Sequence, residues 1–125
     1  DVIGELGMVV SYHSLDDDQM EKMIANHPKV TFVAAHPNDR DKYPLHLERL
    51  KKYPNTYLDL SGTGLFRYGM LKHGVEQVGA EKFLFGTDYP ITNPHMYVQA
   101  VEFEHISEEA KDMIFYKNAR RILGI

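Results

Sequence analysis

The sequence predicts an α/β protein in which a parallel sheet is covered by helices, and its 125 residues suit a single domain, 1–125. Four short apolar runs of strand composition recur at intervals of roughly 25 residues, a length that suits one strand–helix unit. Each run is followed by a segment whose apolar residues have helical spacing. Such alternation is typical of parallel sheets packed against helices.

The elements follow one another without a linker or a low-complexity segment. Residues 1–7 have the pattern of a helix that ends at Gly7, and we expect sequence upstream of Asp1 to belong to the same fold. Strands are predicted over residues 8–12, 30–35, 56–60 and 83–85. Helices are predicted from Ser14 and the acidic cluster 16–18 to residue 26, over 44–52, through 71–78, through 96–100, and from Ser107 onward.

Composition excludes several classes of function. With no cysteine, the chain has no disulfide, no thiolate metal site and no cysteine nucleophile. The net charge is -4 and the basic residues are scattered, which argues against a nucleic-acid or anionic-membrane partner. No apolar run approaches the length of a membrane span and no signal-peptide pattern is present, so a cytoplasmic protein is expected.

Candidate functional residues lie where the predicted strands end. His13, His36, Ser61 and Asp88 follow the four runs, and the carboxyl ends of parallel strands are where ligands bind in α/β folds. Imidazole and carboxylate groups are ligands for zinc, manganese or iron(II). Each residue also has a structural alternative: either histidine could be a hydrogen-bonded structural residue, and the Asp88 side chain could organise the turn before Pro90. The helical His46 is expected at the surface.

Two motifs resemble those of a known family. The segment Phe83–Pro90, with its Gly-Thr-Asp-Tyr-Pro, resembles the last-strand motif of the amidohydrolase-related TIM-barrel family, in its amidohydrolase 2 branch. The Asn-Ala-Arg-Arg of residues 118–121 resembles that family's closing helix, and the runs that end at His13 and His36 resemble its fifth and sixth strands. The resemblance implies that the chain is the C-terminal half, strands 5–8, of a (βα)8 barrel.

The resemblance also implies a role for each candidate. His13 would be a metal ligand, and Asp88 would bind the metal and take part in proton transfer. His36 would sit beside the metal, where it would orient or deprotonate the nucleophilic water or hold the substrate. The metal would be a divalent ion, zinc or alternatively manganese. The family's first-strand His-x-His or Glu-x-His pair has no counterpart at a strand end here, so a metal would be weakly held by this half alone.

The function implied is that of a metal-dependent hydrolase, which attacks the carbonyl carbon of a lactone or amide with metal-activated water. A decarboxylase of the same family is the nearest alternative, in which Arg40 would bind a carboxylate; the alternative for Arg40, and the favoured one, is a solvated loop arginine. A non-catalytic half-barrel is a third. The implied partner is the missing barrel half or a second copy, and activity is expected of the complete barrel rather than of this half. An open flavodoxin-like sheet is disfavoured because no phosphate-binding loop follows the first strand.

Overall fold

A four-stranded parallel sheet forms the centre of the computed structural model, which describes residues 2–13 and 16–125. The strands are β1 (Val9–Tyr12), β2 (Thr31–Ala34), β3 (Thr56–Asp59) and β4 (Phe83–Leu84), and they lie side by side in chain order. In the register, Val10 is opposite Phe32, Ala34 opposite Leu58, and Asp59 opposite Leu84. The predicted α/β class with parallel strands is therefore confirmed.

Helices connect the strands and close the chain. They are α1 (Val2–Glu5), α2 (Asp17–Asn26), α3 (Tyr43–Lys52), α4 (Met70–Val78), a 3₁₀ turn (Ala80–Lys82), α5 (Pro94–Glu102), α6 (Glu108–Asp112), a π-helical turn (Met113–Lys117) and α7 (Asn118–Leu123). Asp16 caps α2 through the amide of Gln19, and Ser107 caps α6 as its sequence predicts. The predicted contribution of Ser14 to the start of α2 lies outside the described residues. Within them, no helix is long and apolar enough to cross a membrane.

The apolar core lies between the sheet and its helices. Leu58 and Phe83 of the central and edge strands are fully buried against Leu47 of α3, Leu71 of α4 and Ile114. A second cluster joins Ile24 of α2 to residues of β2 and β1. This arrangement explains the nearly continuous apolar runs of the strands, since both faces of a parallel strand are usually covered.

One expectation from the sequence is wrong. His46 was expected at the surface, but its side chain is only 8% exposed. It lies on the face of α3 that packs toward the chain after β2, and Asn38 Nδ2 is 3.4 Å from its Nε2. The helical position alone could not show this contact, because the partner comes from a loop whose path depends on tertiary structure.

Candidate functional site

His13 and His36, two of the predicted site residues, meet at the carboxyl end of the sheet. His13 directly follows β1, and His36 comes two residues after β2. Because these strands are neighbours, their ends lie together, and the two imidazole rings are in edge-to-face contact with centroids 5.1 Å apart. The His13 ring is exposed and that of His36 is half-buried.

The backbone is unusual at this end of the sheet. Within the described chain, the non-glycine residues with positive φ are His36 (68°), Asn38 (61°) and Asp88 (60°). The left-handed region is uncommon for residues with a Cβ, and such conformations cluster at functional sites, where surrounding contacts hold them in place. Two of the three are residues that the sequence singles out for chemistry.

The chain after β3 holds the His36 ring. Nδ1 of His36 lies 3.0 Å from the carbonyl oxygen of Ser61 and 3.1 Å from its hydroxyl. Gly62 packs against the same ring so closely that a Cβ at this position would be 2.4 Å from Nδ1. The Tyr97 hydroxyl, from α5, donates to the carbonyl of Gly62 at 2.6 Å. His36 is thus fixed by its neighbouring loop.

Asn38 joins the chain after β2 to the chain after β3. Its backbone N–H donates to the carbonyl of Thr63 at 2.8 Å, and its side-chain Nδ2 donates to the carbonyl of His36 at 3.1 Å. Its own carbonyl accepts from the Arg67 guanidinium. Burial lowers the pKa of His46 to about 4, so its ring is neutral at pH 7 and Nε2 can accept from the Asn38 amide.

Asp88 lies four residues beyond β4 in a turn that its backbone, not its side chain, organises. Its carbonyl accepts from the amides of Ile91 (2.9 Å) and Thr92 (3.4 Å). The half-buried carboxylate makes no hydrogen bond or ion pair within the described residues. The structural alternative, in which the side chain holds the turn, is therefore not what the geometry shows, and the carboxylate is available for other contacts.

These side chains fit a divalent metal in kind but not in number. Imidazole nitrogen and carboxylate oxygen are suitable donors, and catalytic zinc generally has three protein ligands. Among residues 2–13 and 16–125, however, no three histidine, aspartate or glutamate side chains are close enough together to hold one ion. The structure brings His13 to His36 and does not bring Asp88 into a group with them.

Asp59, at the end of β3, is a polar residue of this region that the sequence reading did not single out. Its Oδ1 accepts from the backbone amide of Ser61 at 2.5 Å, and a Cβ on Gly86 would be 2.6 Å from its Oδ2. The glycine of Gly-Thr-Asp thus makes room for this carboxylate. The available signal was a charged residue inside an apolar strand, Tyr57-Leu58-Asp59-Leu60.

Arg40 does not line the cavity that contains His13. That cavity, about 300 Å³, is bordered by Tyr12, His13, Asn38, Lys42, His46 and Arg49, among others. Arg40 instead borders a different cavity with Arg67 and Tyr68. A role for Arg40 beside the paired histidines gains no support from this placement.

The chain resembles proteins of one family throughout its length. A family model described as Amidohydrolase matches residues 1–125. No curated protein sequence matches the chain. Among solved structures, amidohydrolase 2 from Bifidobacterium longum subsp. infantis is 22% identical with a TM-score of 0.76, and the match covers 98% of this chain and 52% of that one.

Two further solved structures carry metals. An amidohydrolase from Burkholderia multivorans with bound zinc is 16% identical with a TM-score of 0.77, over 98% of this chain and 56% of that one. A dihydroxybenzoic acid decarboxylase from Polaromonas sp. JS666, with bound manganese and the inhibitor 2-nitroresorcinol, is 19% identical with a TM-score of 0.71, over 98% and 51%. At such identities the likeness shows the fold. The chain spans about half the length of the solved structures it matches.

Proposed function

Because this chain belongs to the amidohydrolase family and forms part of a TIM barrel, we propose that it supplies strands five to eight of a metal-dependent hydrolase. The four parallel strands in chain order support this assignment, since consecutive neighbours in space are what a barrel requires. Active sites of such barrels lie at the carboxyl ends of the strands, where His13 and His36 meet.

The proposed metal ligands of this chain are His13 and Asp88, and the proposed ion is zinc, with manganese as the second choice. The bound zinc and manganese of the Burkholderia and Polaromonas proteins support a divalent ion in this family. At least one further ligand would come from residues other than those of this chain, because a catalytic site needs about three. Such an ion supplies Lewis acidity toward a carbonyl oxygen and lowers the pKa of a coordinated water.

The contact between His13 and His36 is the observation that carries the proposal, together with the carboxylate of Asp88, which has no hydrogen bond or ion pair to any residue that the structure describes. In the proposed reaction, the substrate is a lactone or an amide, and water attacks its carbonyl carbon. Asp88 accepts and returns a proton, and His36 orients the attacking water or the substrate from its fixed position beside His13. Both roles require the side chain to come within hydrogen-bond reach of the water or the substrate atom on which it acts.

Zinc titration of the assembled barrel, read by competition with a chromophoric chelator, tests the ligand assignment. We expect His13→Ala and Asp88→Asn each to weaken zinc binding by roughly tenfold or more, the scale on which changes around a metal site act. The control is His73→Ala, which removes an exposed imidazole from α4. Zinc affinity that responds to the control as much as to the two site variants would contradict the assignment.

A decarboxylase is the second candidate, and its support is the likeness to the Polaromonas decarboxylase. In that reaction Asp88 and His36 would handle proton transfer at carbon. The two candidates separate in one assay of the assembled barrel, in which a dihydroxybenzoic acid and a panel of lactones are offered in parallel. Release of carbon dioxide without lactone opening would establish the lyase, and the reverse result would establish the hydrolase.

The proposed partner is the missing half of the barrel, or else a second copy of this chain. In the part of the chain that the structure describes, the edge strands β1 and β4 each pair with one neighbour, so each has a row of backbone groups that a further strand could satisfy. If neither reaction is found in the assembled barrel, the remaining candidate is a non-catalytic module that pairs with another chain.

A further inference from the structure

The chemistry of the Ser61 carbonyl decides which nitrogen of His36 carries the proton. Nδ1 of His36 lies 3.0 Å from that oxygen, within normal hydrogen-bond distance. A backbone carbonyl only accepts, so Nδ1 must be the donor, and the Ser61 hydroxyl at 3.1 Å can accept from the same N–H. In the neutral ring, a proton on Nδ1 leaves Nε2 without one.

Ser61 is itself held in place on both sides. Its backbone amide donates to Asp59 Oδ1 at 2.5 Å, and the next residue, Gly62, is held by the hydroxyl of Tyr97 at 2.6 Å. Gly86 leaves room for the Asp59 carboxylate, since a Cβ there would be 2.6 Å from it. The Ser61 side chain is buried, so no bulk water competes freely for its contact with His36.

Gly62 also restricts the position of the His36 ring, which it contacts directly. A Cβ at Gly62 would lie 2.4 Å from Nδ1 and 2.6 Å from Cε1 of His36, far inside van der Waals contact. The imidazole therefore occupies space that is open only because residue 62 has no side chain. Gly62 also has a φ of 61°, which glycine adopts without strain.

We infer that Asp59, Ser61 and Gly62 are positioning residues that fix His36 as the Nδ1–H tautomer and present Nε2 as a hydrogen-bond acceptor. In the neutral ring, the group that faces Nε2 of His36 must then be a hydrogen-bond donor, such as a water, a hydroxyl or an amide N–H, or else a metal ion, and not a carbonyl oxygen. This narrows the roles open to His36: in its neutral form it can orient or deprotonate a water, but it cannot polarise a substrate carbonyl. Only this last step rests on the proposed function.

The tautomer can be read directly by nitrogen NMR of the ¹⁵N-labelled, metal-free chain in alkaline buffer, where imidazoles are neutral. Long-range proton–nitrogen spectra distinguish a protonated from a bare ring nitrogen, and His36→Gln identifies the His36 signals among those of the seven histidines. We expect a protonated Nδ1 and a bare Nε2. Because a free histidine side chain favours the opposite form, a protonated Nε2 at His36 would overturn the inference.

Matched variants separate positioning from general strain. Gly62→Ala should displace the ring and move its signals toward the Nε2–H form. The control, Gly124→Ala, imposes similar backbone strain at a φ of 68°, and no described residue beyond its two chain neighbours lies within 4 Å of the new methyl, so it should leave His36 unchanged. Identical His36 spectra in the two variants would contradict the role of Gly62.

Asp59 and Ser61 are tested in the same spectra. Ser61→Ala keeps the carbonyl and should keep the tautomer, whereas Asp59→Ala removes the acceptor for the Ser61 amide and should shift His36 toward a mixture. Asp59→Asn keeps an oxygen acceptor and should restore the wild-type spectrum. A spectrum that does not distinguish Asp59→Ala from Asp59→Asn would exclude Asp59 as a positioning residue. None of these readouts depends on metal binding or turnover, so a failed zinc titration leaves them decisive.

Discussion

Backbone conformation marks the site at the scale of single residues. His36, Asn38 and Asp88 have positive φ, a conformation that costs on the order of 1–3 kcal/mol for residues with a Cβ and persists only where surrounding contacts enforce it. For His36 and Asn38 those contacts are visible: Ser61, Gly62 and Thr63 hold them from the neighbouring loop. For Asp88 the backbone turn to Ile91 and Thr92 does so.

Asp88→Asn should separate chemistry from stability. The Asp88 carboxylate makes no hydrogen bond or ion pair in the described part of the chain, so its conversion to an amide should change the unfolding midpoint very little. Turnover of the assembled barrel should fall by about 10²–10⁴-fold, the contribution of a positioned acid–base group. Turnover within a few-fold of wild type would show that Asp88 is not part of the reaction.

His46 should make the chain sensitive to acid. Burial, with a smaller contribution from Arg49, lowers its pKa in the folded chain to about 4, whereas the unfolded value is about 6.5. Between these two pH values the unfolded chain binds more protons at His46 than the folded chain does. The contribution of His46 to the free energy of unfolding is therefore fully present above pH 6.5 and declines as the pH falls toward 4. The maximal loss is about 3 kcal/mol.

Urea unfolding between about pH 4 and 7 measures this loss. The variant His46→Gln should lose most of the pH dependence of stability, because it has no imidazole to titrate but keeps a group that can bond Asn38. His73→Gln, on the exposed face of α4, is the control and should leave the pH dependence as in wild type. Equal slopes for wild type and His46→Gln would show that His46 is not the titrating group. The hydrogen bond from Lys42 is the main cause that lowers the pKa of Asp17 below its ordinary value of 3.8, so the stability that this carboxylate contributes is lost at lower pH than that of His46.

At the scale of elements, the Asn-Ala-Arg-Arg motif fixes the closing helix α7 to the rest of the fold. Asn118 is almost fully buried, and its side-chain amide donates to the carbonyls of Ala80 (2.8 Å) and Phe83 (2.9 Å). Arg121 reaches the carbonyl of Glu81 at 2.9 Å. The π-helical turn before α7 adds a bond from the amide of Phe85 to the carbonyl of Ile114. The motif thus attaches the last helix to β4.

Asn118→Ala should destabilise the chain by about 2–4 kcal/mol, because two buried carbonyls lose their donor at once. Thermal or denaturant unfolding gives the difference. Arg120→Ala is a matched control in the same motif, since the exposed Arg120 side chain, among the residues that the structure describes, donates only to the carbonyl of Ile125, at 3.3 Å. A loss for Asn118→Ala no larger than that for Arg120→Ala would mean that the amide bonds contribute little.

The open sheet governs behaviour at the scale of the whole molecule. β1 and β4 are edges, and unpaired edge strands are templates for association with another chain. The matched solved structures are about twice as long as this chain, which is the length that a closed barrel of the same units would need. We therefore expect the isolated chain to associate with itself or to be stabilised by the other half of the barrel.

Light scattering coupled to size exclusion measures this association. We expect species larger than 14.4 kDa, and Ser11→Lys, which places a charge at the exposed position of edge strand β1, should reduce them. Gln19→Lys adds the same charge to the exposed surface of α2 and should not. A well-folded monomer in the wild type would contradict the expectation.

The fold could be predicted from the sequence because its signals are local. Each of the four strands falls within one or two residues of its predicted range, since apolar runs and helical spacing report burial on one or both faces without knowledge of the partner. The same locality explains the failure at His46. Whether a helical histidine is buried depends on which loop covers it, and no local pattern contains that information.

The sequence by itself determined the α/β class, the order of the elements, and the chemical kinds of residue at the strand ends, including His13, His36 and Asp88. Only the tertiary structure decided that the rings of His13 and His36 touch, that Ser61 and Gly62 hold His36, and that the carboxylate of Asp59 needs the space at Gly86. The physical reason is distance along the chain. These contacts join residues about 25 positions apart, and parallel strand pairing, not local preference, brings them together.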